Sequence, residues 1–151
     1  MSDVEAERVV KKAAGRRQLT ETEKTALVMS RRGQGQFRVE LIEWWGRRCA
    51  VTDCCETRVL RASHLKPWAW KPSTNEERLD RFNGLLLAPH LDALLDCGLI
   101  TFTEDGMIQV SSSLASADEK CLGIHRTMKL RRVDPQHLPY LRFHRSKVFQ
   151  R

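Results

Sequence analysis

Two stretches decide the fold: Ser63-His64-Leu65-Lys66-Pro67-Trp68, and Asn83-Gly84-Leu85-Leu86-Leu87-Ala88-Pro89-His90-Leu91-Asp92-Ala93-Leu94-Leu95-Asp96. The second changes period midway. Asn83 to Leu87 is a continuous apolar run of strand length. Pro89 then suits the first turn of a helix, where its missing N–H costs nothing. From there Leu91, Leu94 and Leu95 gather on one face at about 100° per residue, and Gly98 predicts the stop. Upstream, Val59 to Leu65 reads as a strand with Leu60, Ala62 and His64 on one face, and Pro67 ends its ladder. The pattern is strand, long connection, strand, helix.

Working outward, Thr20-Glu21-Thr22-Glu23 has the capping-box spacing and predicts a helix through about Arg31. Gly33-Gln34-Gly35 is expected to break it. A second, amphipathic helix is expected over Gln36 to Trp45, carrying Phe37, Leu41, Trp44 and Trp45 on one face, with Gly46 ending it. Residues 3–17 read as a loose charged helix. Cys49 to Thr52 reads as a short strand and Lys66 to Phe82 as a long connection. Ile100 to Val110 reads as a hairpin turning at Thr103-Glu104-Asp105-Gly106. A short helix is expected over 113–122 and a strand over Met128 to Arg132. A closing helix is expected over Pro135 to Phe149, with Leu138, Leu141 and Phe149 inward. The division that follows is an N-terminal helical arm, 1–32, and a single domain, 33–151.

Length and composition bound the class. One hundred and fifty-one residues, 41% hydrophobic and 30% charged, suit one globular domain and exclude a disordered chain. No apolar run reaches membrane-spanning length and the first thirty residues are charged throughout, so a cytoplasmic protein with no membrane partner is expected. The cysteines Cys49, Cys54, Cys55, Cys97 and Cys121 are odd in number and lack the two close pairs of a closed zinc site. Buried or free thiols are the expectation.

The net charge of +7 is unevenly spread. Lys and Arg number 11 against 7 Asp and Glu in residues 1–48, 7 against 11 in 49–124, and 8 against 1 in 125–151. A basic flank beside an acidic centre suits a protein that grips phosphates while carboxylates hold a cation. Lys66, Trp68, Arg131, Arg132, Arg142 and Arg145 are the candidate nucleic-acid contacts.

The polar residues within the two apolar runs carry the chemistry. Hydrolysis of a phosphodiester needs a base for water and positive charge for the phosphate and leaving oxygens. A histidine suits the first task, and His64 is the candidate. The Asn83 amide can bond backbone across the loop after His64 and hold the base. Asp92 and Asp96 stack one turn apart, and like charges at that spacing repel unless a cation lies between them. His90 lies on the other flank of the helix.

The chain from Gly33 to Phe102 resembles the HNH endonucleases, the ββα-metal nucleases. The resemblance rests on Gly35-Gln36-Phe37-Arg38, Cys49-Ala50-Val51-Thr52, Ala62-Ser63-His64-Leu65-Lys66-Pro67-Trp68, Asn83 to Leu87, and Leu95-Asp96-Cys97-Gly98-Leu99-Ile100, in that order. Pro139-Tyr140-Leu141 matches more loosely. The resemblance implies an α+β fold, a small ββα-metal (His-Me finger) core with flanking helices at both ends. It implies a metal-dependent endonuclease acting on double-stranded DNA, with His64 as base and Asn83 as the residue orienting its loop. Asp92 and Asp96 would be metal ligands, with His90 or Ser63 completing the set. Ser63 stands where many members carry Asp or His, and Asp92 where the helix usually carries His. Oxygen-rich ligation favours one Mg²⁺ or Mn²⁺ over Zn²⁺. Cutting both strands would take a homodimer or two visits. The rival reading is a catalytically inactive DNA-binding protein of the same fold.

Overall fold

The computed structural model describes residues 20–151; the helix expected over 3–17 lies outside them. Helix α1 (Glu21–Trp44) opens on the expected capping box, with Thr20 and Glu23 each accepting the other's backbone N–H. It does not break at Gly33-Gln34-Gly35, so two expected helices are one. A glycine inside a helix costs only about 1 kcal/mol relative to alanine, and the lower half of α1 is anchored by buried Phe37 and Leu41. Gly33 instead marks a close approach: a Cβ there would lie 2.9 Å from Leu79 Cδ2. Gly46, with φ +66°, ends the helix as expected.

The central unit is a two-stranded antiparallel hairpin, β1 (Arg61–His64) and β2 (Gly84–Leu87), followed by α3 (Pro89–Asp96). In its register Ser63 faces Leu85 and His64 faces Gly84. All of β2 is buried, as its unbroken apolar run requires. The hairpin lies between α1 and α3, an α+β arrangement with a ββα core. Gly84 is obligatory for this packing: a Cβ would stand 2.5 Å from Phe37 Cζ and 2.8 Å from Leu41 Cδ1.

The long connection contains a short helix the sequence reading passed over, α2 (Asn75–Leu79), capped by Thr74 and Glu77. A 3₁₀ turn, Arg81–Asn83, leads from it into β2. The Cys49–Thr52 strand is not formed. Cys49 is buried, and its Sγ accepts the N–H groups of Val51, Thr52 and Ala88. Sulfur bonding folds this segment into a turn, and only Ala50 pairs with β2, through Leu86 O at 2.7 Å. All five cysteines are free thiols, Cys49 alone being fully buried.

The hairpin β3 (Ile100–Phe102) and β4 (Ile108–Val110) forms as read, with Gly106 at φ +85° in its turn. Helix α4 is Ser116–Cys121. Met128 to Arg132 is not a strand but a single bridge, Met107 to Lys129, plus the bond from Arg131 N to Ala50 O. The closing segment is composite: a 3₁₀ turn (Pro135–His137), α5 (Leu138–Phe143) and a π-helical turn (His144–Val148). Leu141 is fully buried and Leu138 packs against the core, while Phe149 lies beyond the helical part and is only half-buried. His144 is the inward residue here, tied to β3 and α3. No described helix is long and apolar enough to cross a membrane.

Candidate active site

His64 ends β1, buried to 9% exposure. Its ring stacks on Phe37 of α1, with centroids 4.1 Å apart and planes 13° apart, and meets Trp68 edge-on at 5.7 Å. Its Nε2 lies 2.7 Å from the carbonyl oxygen of Arg78 in α2. A carbonyl only accepts, so Nε2 carries the proton and Nδ1 keeps its lone pair. Nδ1 makes no hydrogen bond among the described residues. Burial drives the imidazole pKa down to about 4, against the opposing pull of the Arg78 carbonyl. The ring is therefore neutral at physiological pH, oriented, and has one unspent acceptor.

Asn83 is buried and spends its whole amide on the loop that follows His64. Its Oδ1 accepts from Lys66 N at 2.7 Å, and its Nδ2 donates to Glu77 O at 2.9 Å and Lys66 O at 3.3 Å. Its own carbonyl accepts from Leu65 N. One side chain thus ties the segment after β1 to α2, the helix that supplies the Arg78 carbonyl. Arg78 and Glu77 were not singled out in the sequence, and Phe37 and Gly84 stood there only as helix-face and motif residues. The Thr74-Asn75-Glu76-Glu77 spacing, another capping box, is the signal that marks α2.

Ser63 points the other way. Its hydroxyl donates to Asp92 Oδ1 at 2.6 Å, linking β1 to α3. Consecutive strand residues face opposite sides, so Ser63 and Asp92 lie toward α3 while His64 lies toward α1. Burial pushes the Asp92 carboxyl above the usual range, against the lowering effects of the Ser63 hydroxyl and the Arg61 charge. A buried carboxylate with one neutral donor is a group that a cation would stabilise. Its expected companions do not assemble around it. Among the described residues no three His, Cys, Asp or Glu side chains form a group that could hold a metal ion. Helix geometry gives one reason: His90 precedes Asp92 by two residues, about 200° around α3. Asp96 lies one turn on, half-buried. Asp92 and Ser63 are the two oxygens brought together, and they do not by themselves make a closed ion site.

The expected nucleic-acid contacts are largely occupied within the fold. Lys66 pairs with Glu77 at 3.0 Å and lies over the Phe143 ring. Trp68 packs between His64 and the Arg78 guanidinium. Arg131 donates to the carbonyls of Trp45, Arg48 and Cys49, closing the end of α1. Arg142 and Arg145 share Glu104. Arg132 stacks on Trp44.

Residues 49–103 match the model of a family described as HNH endonuclease. Among solved structures, a modification-dependent TagI restriction endonuclease is similar, with a TM-score of 0.48 and 21% sequence identity over 72% of this chain. The alignment takes in 36% of that protein, so this chain spans about a third of its length. No curated protein matches the chain significantly. The ββα hairpin-and-helix unit and most of the ordered motifs fall on the same segment, residues 49–103, that the HNH endonuclease family model matches.

Proposed function

We propose that the protein is an HNH endonuclease that hydrolyses DNA phosphodiester bonds, with His64 as the general base. The observation that carries this reading is the fixed tautomer of His64. The Arg78 carbonyl holds the Nε2 proton, and Phe37 and Trp68 hold the ring plane. Nδ1 is thereby the atom that takes a proton from an attacking water. Its low basicity weakens the pull on that proton but keeps the ring in the accepting form at neutral pH. Asn83 is a positioning residue, because its amide holds the strand-end loop against α2. HNH nucleases generally use a divalent ion. In this chain the buried Asp92 carboxylate, backed by Ser63, is the group most in need of one, and Mg²⁺ or Mn²⁺ suits its oxygen donors.

A second reading, DNA binding without cleavage, is favoured by a specific observation: the His64 ring and the Asp92 carboxylate are carried to opposite sides of β1. Supercoiled plasmid distinguishes the two. The purified protein is incubated with Mg²⁺, Mn²⁺, Ni²⁺ or EDTA, wild type beside His64→Ala. Nicking that needs a divalent ion and disappears in His64→Ala is the expected result. Nicking that survives His64→Ala removes His64 as base. A plasmid that is retarded on a gel but left uncut with every ion supports the binding-only reading.

A further inference from the structure

The far end of α1 carries two cations that the proposed reaction does not use. The Arg132 guanidinium carbon lies 3.4 Å from the centroid of the Trp44 ring and 5.5 Å from that of Trp45. The Arg81 guanidinium lies 5.1 Å over Phe82. Phe82 and Trp44 meet edge-on at 5.6 Å, so the two cations rest on rings in mutual contact. His137 packs edge-on against the same two rings.

Neither guanidinium forms a hydrogen bond or ion pair among the described residues. Arg58, Arg126, Arg142 and Arg145 differ, each having a carboxylate partner. The acids beside the pair in the chain, Asp80 and Asp134, are each engaged elsewhere. Asp134 Oδ1 accepts from Gln136 N. Asp80 accepts from Phe82 N and from the Tyr140 hydroxyl. The two cations also repel: after burial, the Arg81 charge helps hold Arg132 below its ordinary pKa, and Asp134 only partly offsets this. Holding two like charges together with only partial compensation costs free energy that an anion would recover. Planar guanidiniums held on aromatic faces lose little further freedom when they bind a phosphate in bidentate fashion.

We propose that Arg81 and Arg132 form a clamp for a backbone phosphate of duplex DNA, on the same face of α1 as His64. Phe37, which carries His64, and Trp44, which carries Arg132, are seven residues apart, about 10 Å along the helix. With a rise of about 3.4 Å per nucleotide along one strand, the clamp holds a phosphate about three nucleotides from the one at His64. This placement rests on the DNA reading above but not on cleavage.

The test uses the full chain with a fluorescein-labelled DNA duplex, anisotropy being followed between about 50 and 200 mM salt. Arg81→Gln/Arg132→Gln is expected to bind roughly tenfold more weakly at low salt, with a log–log salt slope shallower by about two. In plasmid nicking its KM rises while kcat at saturating DNA is kept. Arg126→Gln, which loses only the pair with Glu119, leaves affinity and slope unchanged. Arg132→Lys keeps the charge but not the stacked plane, so it keeps the slope and loses part of the affinity. Wild-type affinity and slope in the double variant, with native near-UV circular dichroism, overturn the clamp. Should that variant lose the native spectrum, Arg132→Lys decides: undiminished affinity overturns the clamp. Binding without cleavage, with the slope change present, keeps the clamp and removes the nuclease. Cleavage with an unchanged slope does the reverse. A wild type that binds no duplex removes both.

Discussion

Two buried histidines stand at different places in this molecule and share a pKa of about 4, set in both by burial. His144, in the π-helical turn, spends both ring nitrogens. Its Nε2 donates to Leu95 O at 2.9 Å and its Nδ1 accepts from the Thr101 hydroxyl at 2.8 Å. His64, at the end of β1, spends only Nε2. The same burial and the same titration therefore describe one histidine that fastens α3 and β3 to the closing segment, and one that keeps an acceptor in reserve. Burial does not separate a structural histidine from a candidate base; an unspent ring acceptor does, and the buried His137 lacks one, since its Nδ1 accepts from Asp134 N.

The sharpest way to break this comparison is to delete each ring. His64→Ala is expected to lower plasmid nicking by about 10²- to 10⁴-fold, the range for a lost general base. His144→Ala is expected to lower stability while leaving the nicking rate per folded molecule unchanged. Equal nicking losses from the two variants, once the folded fraction is measured by circular dichroism, would dissolve the distinction.

Asn83→Ala tests what holds His64 in place. It strips partners from Lys66 N and Glu77 O, and leaving such groups unpaired costs about 1–3 kcal/mol each. Urea denaturation is expected to show a loss of about 3 kcal/mol or more, and nicking falls through kcat as the loop slackens. A variant as stable as wild type would mean that the Asn83 bonds are replaced by water.

The pH dependence follows from both rings. Above about pH 6.5 each histidine is neutral folded and unfolded, and neither affects stability. As pH falls from there toward 4, the unfolded chain takes up protons that the folded rings refuse. Stability then drops by up to about 3 kcal/mol per histidine. Asp92, whose pKa is raised, works in the opposite direction, because acid relieves its buried charge. NMR titration is expected to find both imidazoles neutral down to about pH 4. The acid limb of nicking lies near that value, not near 6.5. The smallest effect is expected from Thr101→Val, which removes one hydrogen bond to His144 and costs about 1 kcal/mol, with no change in the His64 titration.

Much of the fold was legible because it is written in local chemistry. The capping box at Thr20, Pro89 at the head of α3, Gly98 at its end and the β3–β4 turn each act within a few residues. The helix break at Gly33 failed because a glycine's local cost is small beside the anchoring of α1 on the hairpin. The basic residues were legible as charge but not as partners. Arg131 closes α1 through carbonyls more than eighty residues away in the chain, and Arg142 meets Glu104 across 38 positions. Arg81 lies next to Phe82 in the chain, but only the fold brings that ring against Trp44, on which Arg132 rests.

By itself the sequence determined the strand–strand–helix order, the caps and stops, and the family that its central segment resembles, because these depend on residue type and short spacing. Tertiary structure decided which way each polar side chain points. Ser63 and His64 are neighbours in the chain, yet one is drawn to Asp92 on α3 and the other to Phe37 and Arg78. That division follows from a pleated strand packed on both faces, and the packing depends on what the rest of the chain brings to each side.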